Sequence, residues 1–193
     1  MANLPAGGGA SESSPDAFLL PRTRLSNAID GLIQRIGELA SWLWLVLLAI
    51  IIINVALRYL LGQGYILFEE LQWHLYGAAW LLALAFVFKN DAHVRIDVLA
   101  ANLRARTRAW IELLGLLFLL LPFALFVVIE AVPFVMTAYQ LHEISPSPGG
   151  LSHRWIIKAF IPLSFGLLVL TAFARLLRCT ALLFGIPTPL RNP

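Results

Sequence analysis

Nineteen consecutive residues, Leu39 to Leu57, carry no charged side chain. At about 1.5 Å per residue, a helix of that length crosses a hydrocarbon core of about 30 Å. Leu71 to Phe88 is a second uncharged run, bracketed by Glu69-Glu70 and Lys89. Two more apolar stretches follow, at about 110–138 and 155–177, and the last contains the uncharged segment Ala159 to Ala174. Lipid offers no partner to a backbone N–H or C=O, so a spanning segment must satisfy its own, and the helix does this within one segment. Four such runs predict an all-α integral membrane protein with four transmembrane helices. Composition excludes the alternative of a soluble globule. With 60% hydrophobic and 13% charged residues in a chain of 193, too much apolar surface would stay in water.

The expected organisation is a disordered cytoplasmic tail over 1–26, a membrane domain over 27–180 and a second tail over 181–193. Gly, Ser, Pro and Ala dominate the first stretch without any period. The spans are placed at about 39–61, 68–89, 110–138 and 155–177. The first run is long enough to span, and Asn54-Val55-Ala56-Leu57-Arg58 makes a poor cleavage site, so it is expected to stay as a helix. Pro122 and Pro133 are the expected kink points of the third span. Lys158, near the start of the fourth, is expected to snorkel. Between spans two and three, Ile96, Leu99 and Leu103 share one helical face and Asp97, Arg104 and Arg108 the other, which predicts a short interfacial helix.

Net charge is +3, but its placement relative to the spans matters more than its sum. Eleven of the 14 Lys and Arg residues fall in the N-terminal tail, the middle loop and the C-terminal side. The positive-inside rule then puts both termini in the cytoplasm. No nucleic-acid partner is expected. The single cysteine, Cys179, has no second cysteine to pair with.

In so apolar a chain the polar residues near the spans are the informative ones. Asn54 and Arg58 stand one turn apart at the outer end of span one. The short Gly62-Gln63-Gly64 turn brings Arg58 towards Glu69 and Glu70, so a salt bridge is expected, either as an exposed pair or as part of a surface facing another chain. Glu70 and His74 share one face of span two, and Glu69 and Trp73 another. A metal needs three or four ligands, and no other histidine or cysteine lies at that depth. No metal or cofactor is expected. Glu130, the deepest lone carboxylate, either lies close to the outer interface or pairs with a polar group of a neighbour. His93 and Asp97 sit at the inner corner after span two, where capping and turn-fixing are the plain roles for such residues. Ser145-Pro146-Ser147-Pro148-Gly149-Gly150 predicts a tight external turn. No nucleophile–base set, phosphate-binding loop or zinc motif is present, and no enzyme is expected.

Asn54-x3-Arg58, Glu69-Glu70-Leu71 and His93-Val94-Arg95-Ile96-Asp97, spaced across two spans, resemble the small membrane subunit of tripartite ATP-independent periplasmic (TRAP) transporters, the DctQ family. The likeness covers about residues 30–180. It implies a non-catalytic small permease subunit of a sodium-driven symport system of the bacterial inner membrane, serving organic acid uptake. The implied partners are a large DctM-like membrane subunit, a periplasmic substrate-binding protein and the lipid bilayer. Asn54, Arg58, Glu69, Glu70 and His74 are the expected subunit-interface residues, and His93 and Asp97 the cytoplasmic turn residues. Pro146, Pro148, Gly149 and Gly150 are the expected docking residues on the periplasmic side. A membrane anchor for a redox complex, suggested by His74, and a small autonomous channel or exporter are the alternatives.

Overall fold

The computed structural model describes residues 20–62, 64–91 and 103–188. Among them are four long helices and no strand: α1 (Arg24–Leu61), α2 (Ile66–Lys89), α3 (Ala105–Gln140) and α4 (Trp155–Phe184). All four are long and apolar enough to cross a membrane.

The helices match the expected spans in number and order, but α1, α3 and α4 run longer. α1 begins well before residue 39, inside the stretch expected to be tail, because Thr23 and Ser26 form a reciprocal capping box there. Both are buried, and Leu20 packs on a core cluster. The cap satisfies backbone donors that a helix start leaves open. At the far end Gly62 takes a left-handed conformation with φ of 66°, which ends α1 where a residue with a Cβ would be strained. The interfacial helix expected up to Arg108 does not run that far. Leu103 and Arg104 are non-helical, and Ala105 to Arg108 form the first turn of α3. Its remainder falls on residues 92–102, outside the described residues.

Packing follows a seven-residue repeat. The buried positions Ser26, Ile33, Ala40, Leu47 and Asn54 recur every seventh residue along α1, with Gly37 between. Such a seam keeps one face turned to its neighbour along the whole helix. Gly37 is required by closeness: a Cβ there would lie 2.2 Å from Phe86 Cδ2 of α2. Along α3 the same repeat links Ala109 to Leu116, and Ala124 to Ala131 and Ala138. The two series are out of step by one residue. A π-helical turn, Leu116–Leu120, lies between them, with the Leu121 N–H donating to the Leu116 carbonyl. The wider turn absorbs the extra residue and restores the seam. Pro122, one of the two expected kink points, follows it directly, so its ring meets a loosened turn. Small residues let the helices approach closely without a hydrophobic driving force between them.

α4 is the central helix and packs on α1, α2 and α3, whereas α3 packs chiefly on α4. The start of α1, the end of α2, the start of α3 and the end of α4 therefore share one end of the bundle. Ion pairs tie them there. Arg178 of α4 pairs with Asp30 of α1, and Arg175 pairs with both Glu112 of α3 and Asp91 just past α2. Arg175 is only 7% exposed. These two arginines are among the charges expected on the cytoplasmic, C-terminal side, with no partner assigned to either. α4 continues to Phe184 and draws both inside, because carboxylates on three other segments are placed to meet them. Lys158 likewise does not simply snorkel: it pairs with Glu143 and sits 4.1 Å from the centre of the Phe134 ring.

Candidate functional site

The Gly62 turn sends the chain straight back into α2, so residues eleven apart in sequence become neighbours. Arg58 Nη2 donates to Glu69 Oε1 at 2.8 Å, and the two side chains are 58% and 48% exposed. Below this pair, between α1 and α2, is an open cavity of about 360 Å³ bordered by Asn54, Gln72 and Trp73. Asn54 comes from the buried seam of α1. Its Oδ1 and the Nε2 of Gln72 are both buried without a hydrogen-bond partner among the described residues. A buried polar atom left unpaired is costly, so this lining is chemically unfinished within the single chain.

Glu70, one residue on, faces elsewhere. Its Oε1 accepts from the Ser145 hydroxyl and its Oε2 accepts from the Leu151 N–H at 2.6 Å. The segment between these residues is closed by its own hydrogen bonds. Ser145 N–H donates to the Leu151 carbonyl at 3.0 Å, Gly150 N–H to the Ser147 carbonyl at 3.0 Å, and Ser147 N–H to the Ser145 hydroxyl at 3.2 Å. A Cβ on Gly150 would lie 2.6 Å from the Ser145 side chain and 2.8 Å from Glu70 Oε1. The loop thus wraps one carboxylate and leaves Pro146, Pro148 and Gly149 exposed above it. His74, one turn after Glu70, places Nδ1 2.6 Å from the Glu70 carbonyl. A carbonyl only accepts, so Nδ1 carries the proton in this contact.

The five residues expected at one interface therefore divide. Asn54, Arg58 and Glu69 surround the cavity, while Glu70 is turned into the α3–α4 connection and His74 bonds back to the Glu70 carbonyl. Pro146, Pro148, Gly149 and Gly150 are brought together in the Glu70-held loop. His93 and Asp97 lie outside the described residues. Sequence reasoning missed Gln72, whose amide completes the cavity, and Ser145 with the Leu151 amide, which hold Glu70. The Pro-Gly composition marks a turn, but nothing in the linear sequence links it to a glutamate 75 positions earlier. Among the described residues, no three His, Cys, Asp or Glu side chains gather where a metal could be held.

Residues 47–182 match the family described as tripartite ATP-independent periplasmic transporters, DctQ component. No curated protein and no solved structure matches the chain.

Proposed function

The chain belongs to the DctQ component family of the tripartite ATP-independent periplasmic transporters, and on that premise we propose that this small permease subunit is the non-catalytic scaffold of a sodium-driven importer of organic acids. The observation that carries the scaffold role is the set of ion pairs at one end of the bundle. Asp30–Arg178 and Asp91–Arg175–Glu112 bind α1, the end of α2, and α3 to α4. Charges engaged this way hold helices in register against one another. A fixed body is what a moving transport subunit must push against. The sodium drive and the organic-acid cargo are taken from what the family resemblance implies.

In this assignment the chain is a multi-pass protein of the bacterial inner membrane. The end carrying the ion pairs, both termini and the Arg104–Arg108 segment face the cytoplasm. The Arg58–Glu69 corner and the Glu70-held loop then stand together on the periplasmic side. Asn54, Arg58 and Glu69 contact a second chain there, supported by the unpaired amide atoms of Asn54 and Gln72. The rigid, exposed Pro146-to-Gly149 segment forms part of the surface for the soluble binding protein.

Reconstitution tests this directly. Liposomes holding the large membrane subunit of the same system, supplied with its binding protein and a sodium gradient, take up substrate only when this chain is also present. Uptake or conductance by this chain alone would overturn the scaffold assignment.

A further inference from the structure

α3 is the edge helix of the bundle, and one stripe of it carries Leu119, Phe123, Phe126, Glu130 and Phe134, all exposed, although Phe123 also meets Phe165 and Phe134 meets Lys158 of α4. Spacings of four, three, four and four residues put these side chains on one stripe, the pattern that seats a second helix. The stripe is apolar except at Glu130. Among the described residues no hydrogen bond or ion pair engages that carboxylate. Its depth follows from the helix itself. Tyr139 and Trp155, whose ring centres are 5.4 Å apart, mark one membrane boundary, as aromatic pairs do. Glu130 lies nine residues inside that boundary, or roughly 13 Å along the helix axis. Among the described residues no side chain pairs with it as a counter-charge. Lys158, over the ring of Phe134 four residues along α3, is already held by Glu143.

Hydrocarbon against an ionised carboxylate is strongly unfavourable, and the group that relieves it is a cation or a strong donor at the same depth. We propose that the α3 stripe centred on Glu130 is the membrane-embedded contact with the large membrane subunit, taken by one of its helices carrying an arginine or lysine opposite Glu130. The flanking phenylalanines supply the shape and the dry surroundings in which such a pair is strong. This rests on the assignment of the chain as the small subunit of a two-protein membrane assembly. It adds which face is used and what chemistry the partner must bring.

The test is co-expression of this full chain with the large membrane subunit of the same system, with recovery of the pair measured in detergent and in nanodiscs. Glu130→Lys sets two cations face to face and is expected to lower recovery roughly ten-fold, with Glu130→Gln intermediate. Glu130 is exposed and, among the described residues, makes no hydrogen bond or ion pair in its own bundle, so each variant is expected to reach the membrane and elute as the wild-type chain does. A photoreactive benzoylphenylalanine in place of Phe126 is expected to form an adduct with a helix of the large subunit. Should the wild-type pair form while Glu130→Lys is recovered equally well and position 126 reacts only with lipid or another copy of this chain, the α3 contact is wrong and the small-subunit assignment stands. Should the wild-type pair not form at all, the assignment itself fails, and the α3 contact with it.

Discussion

The carboxylate of Glu70, on the first turns of α2, accepts a hydrogen bond of 2.6 Å from the backbone N–H of Leu151, 81 positions later in the chain. With the Ser145 hydroxyl on its other oxygen, this side chain joins the α1–α2 half of the molecule to the α3–α4 connection. A charge-assisted bond to a backbone amide is among the stronger hydrogen bonds. Glu70 therefore organises the loop whose tip is the proposed docking surface.

Replacing Glu70 by Ala leaves the Leu151 amide and the Ser145 hydroxyl without an acceptor. The loop is expected to become susceptible to proteolysis and the Leu151 amide to exchange faster with deuterium, while the four helices persist. Glu70→Gln, which keeps one accepting oxygen, should give an intermediate exchange rate. Unchanged protection of Leu151 in Glu70→Ala would show that the loop holds itself.

Gly150→Ala attacks the same loop by shape instead of charge. The added methyl meets Ser145 and Glu70 Oε1 at 2.6 and 2.8 Å, well inside van der Waals contact. The expected result is the loosened loop of Glu70→Ala, read by the same exchange measurement. Substitution at the open Gly31, whose Cβ would meet nothing within 4 Å, is the control and should leave the loop unaffected.

Arg175→Met removes the buried cation that Glu112 and Asp91 share. Removing one member of a buried pair typically costs about 3–5 kcal/mol, so a large drop in the denaturation midpoint in detergent is expected. Combining Arg175→Met with Glu112→Leu should recover much of that loss, since two apolar side chains need no partner. Equal stability of the single and double variants would mean that the ion pair is not what makes Arg175 important.

Gly37→Val forces a branched side chain into the Phe86 ring, where even a Cβ would stand 2.2 Å away. Overpacking of this kind costs about 1–3 kcal/mol. It should separate α1 from α2, seen as a lower midpoint and as a lower yield of disulfide cross-links between cysteines introduced into the two helices.

Arg58→Ala separates stability from assembly. The Arg58–Glu69 pair is exposed, so its loss should change the stability of the isolated chain by less than about 1 kcal/mol. Recovery with the partner subunit should nonetheless fall, because Arg58 borders the cavity where Asn54 and Gln72 lack partners. Unaltered recovery and uptake would make the pair decorative.

Four apolar runs of spanning length, Gly62 at a turn and the Pro-Gly cluster were legible in the sequence because each is a local property. Backbone satisfaction in lipid, left-handed φ and missing N–H groups act within a few residues of their cause. The Arg58–Glu69 contact was legible for the same reason, since a short turn leaves its partners little choice. The bonds of Glu70 to Ser145 and Leu151 were not legible, because its identity and its place beside Glu69 said nothing of the loop that reaches it from the other half of the chain. The ion pairs of Arg175 and Arg178 were hidden for a related reason. A charge next to an apolar run looks like a helix end unless the carboxylates that admit it to the interior are known.

By itself, then, the sequence determined the solvent this protein lives in, the number of its helices and the side chains available for polar contacts. Those follow from transfer free energy and local backbone geometry, which need no knowledge of neighbours. Only the tertiary structure decided which polar groups satisfy one another, with Glu70 on Leu151 and Arg175 on Glu112, and which are left over among the described residues at Asn54, Gln72 and Glu130. Pairing depends on distances between segments up to 148 positions apart, and those distances exist only once the helices have packed.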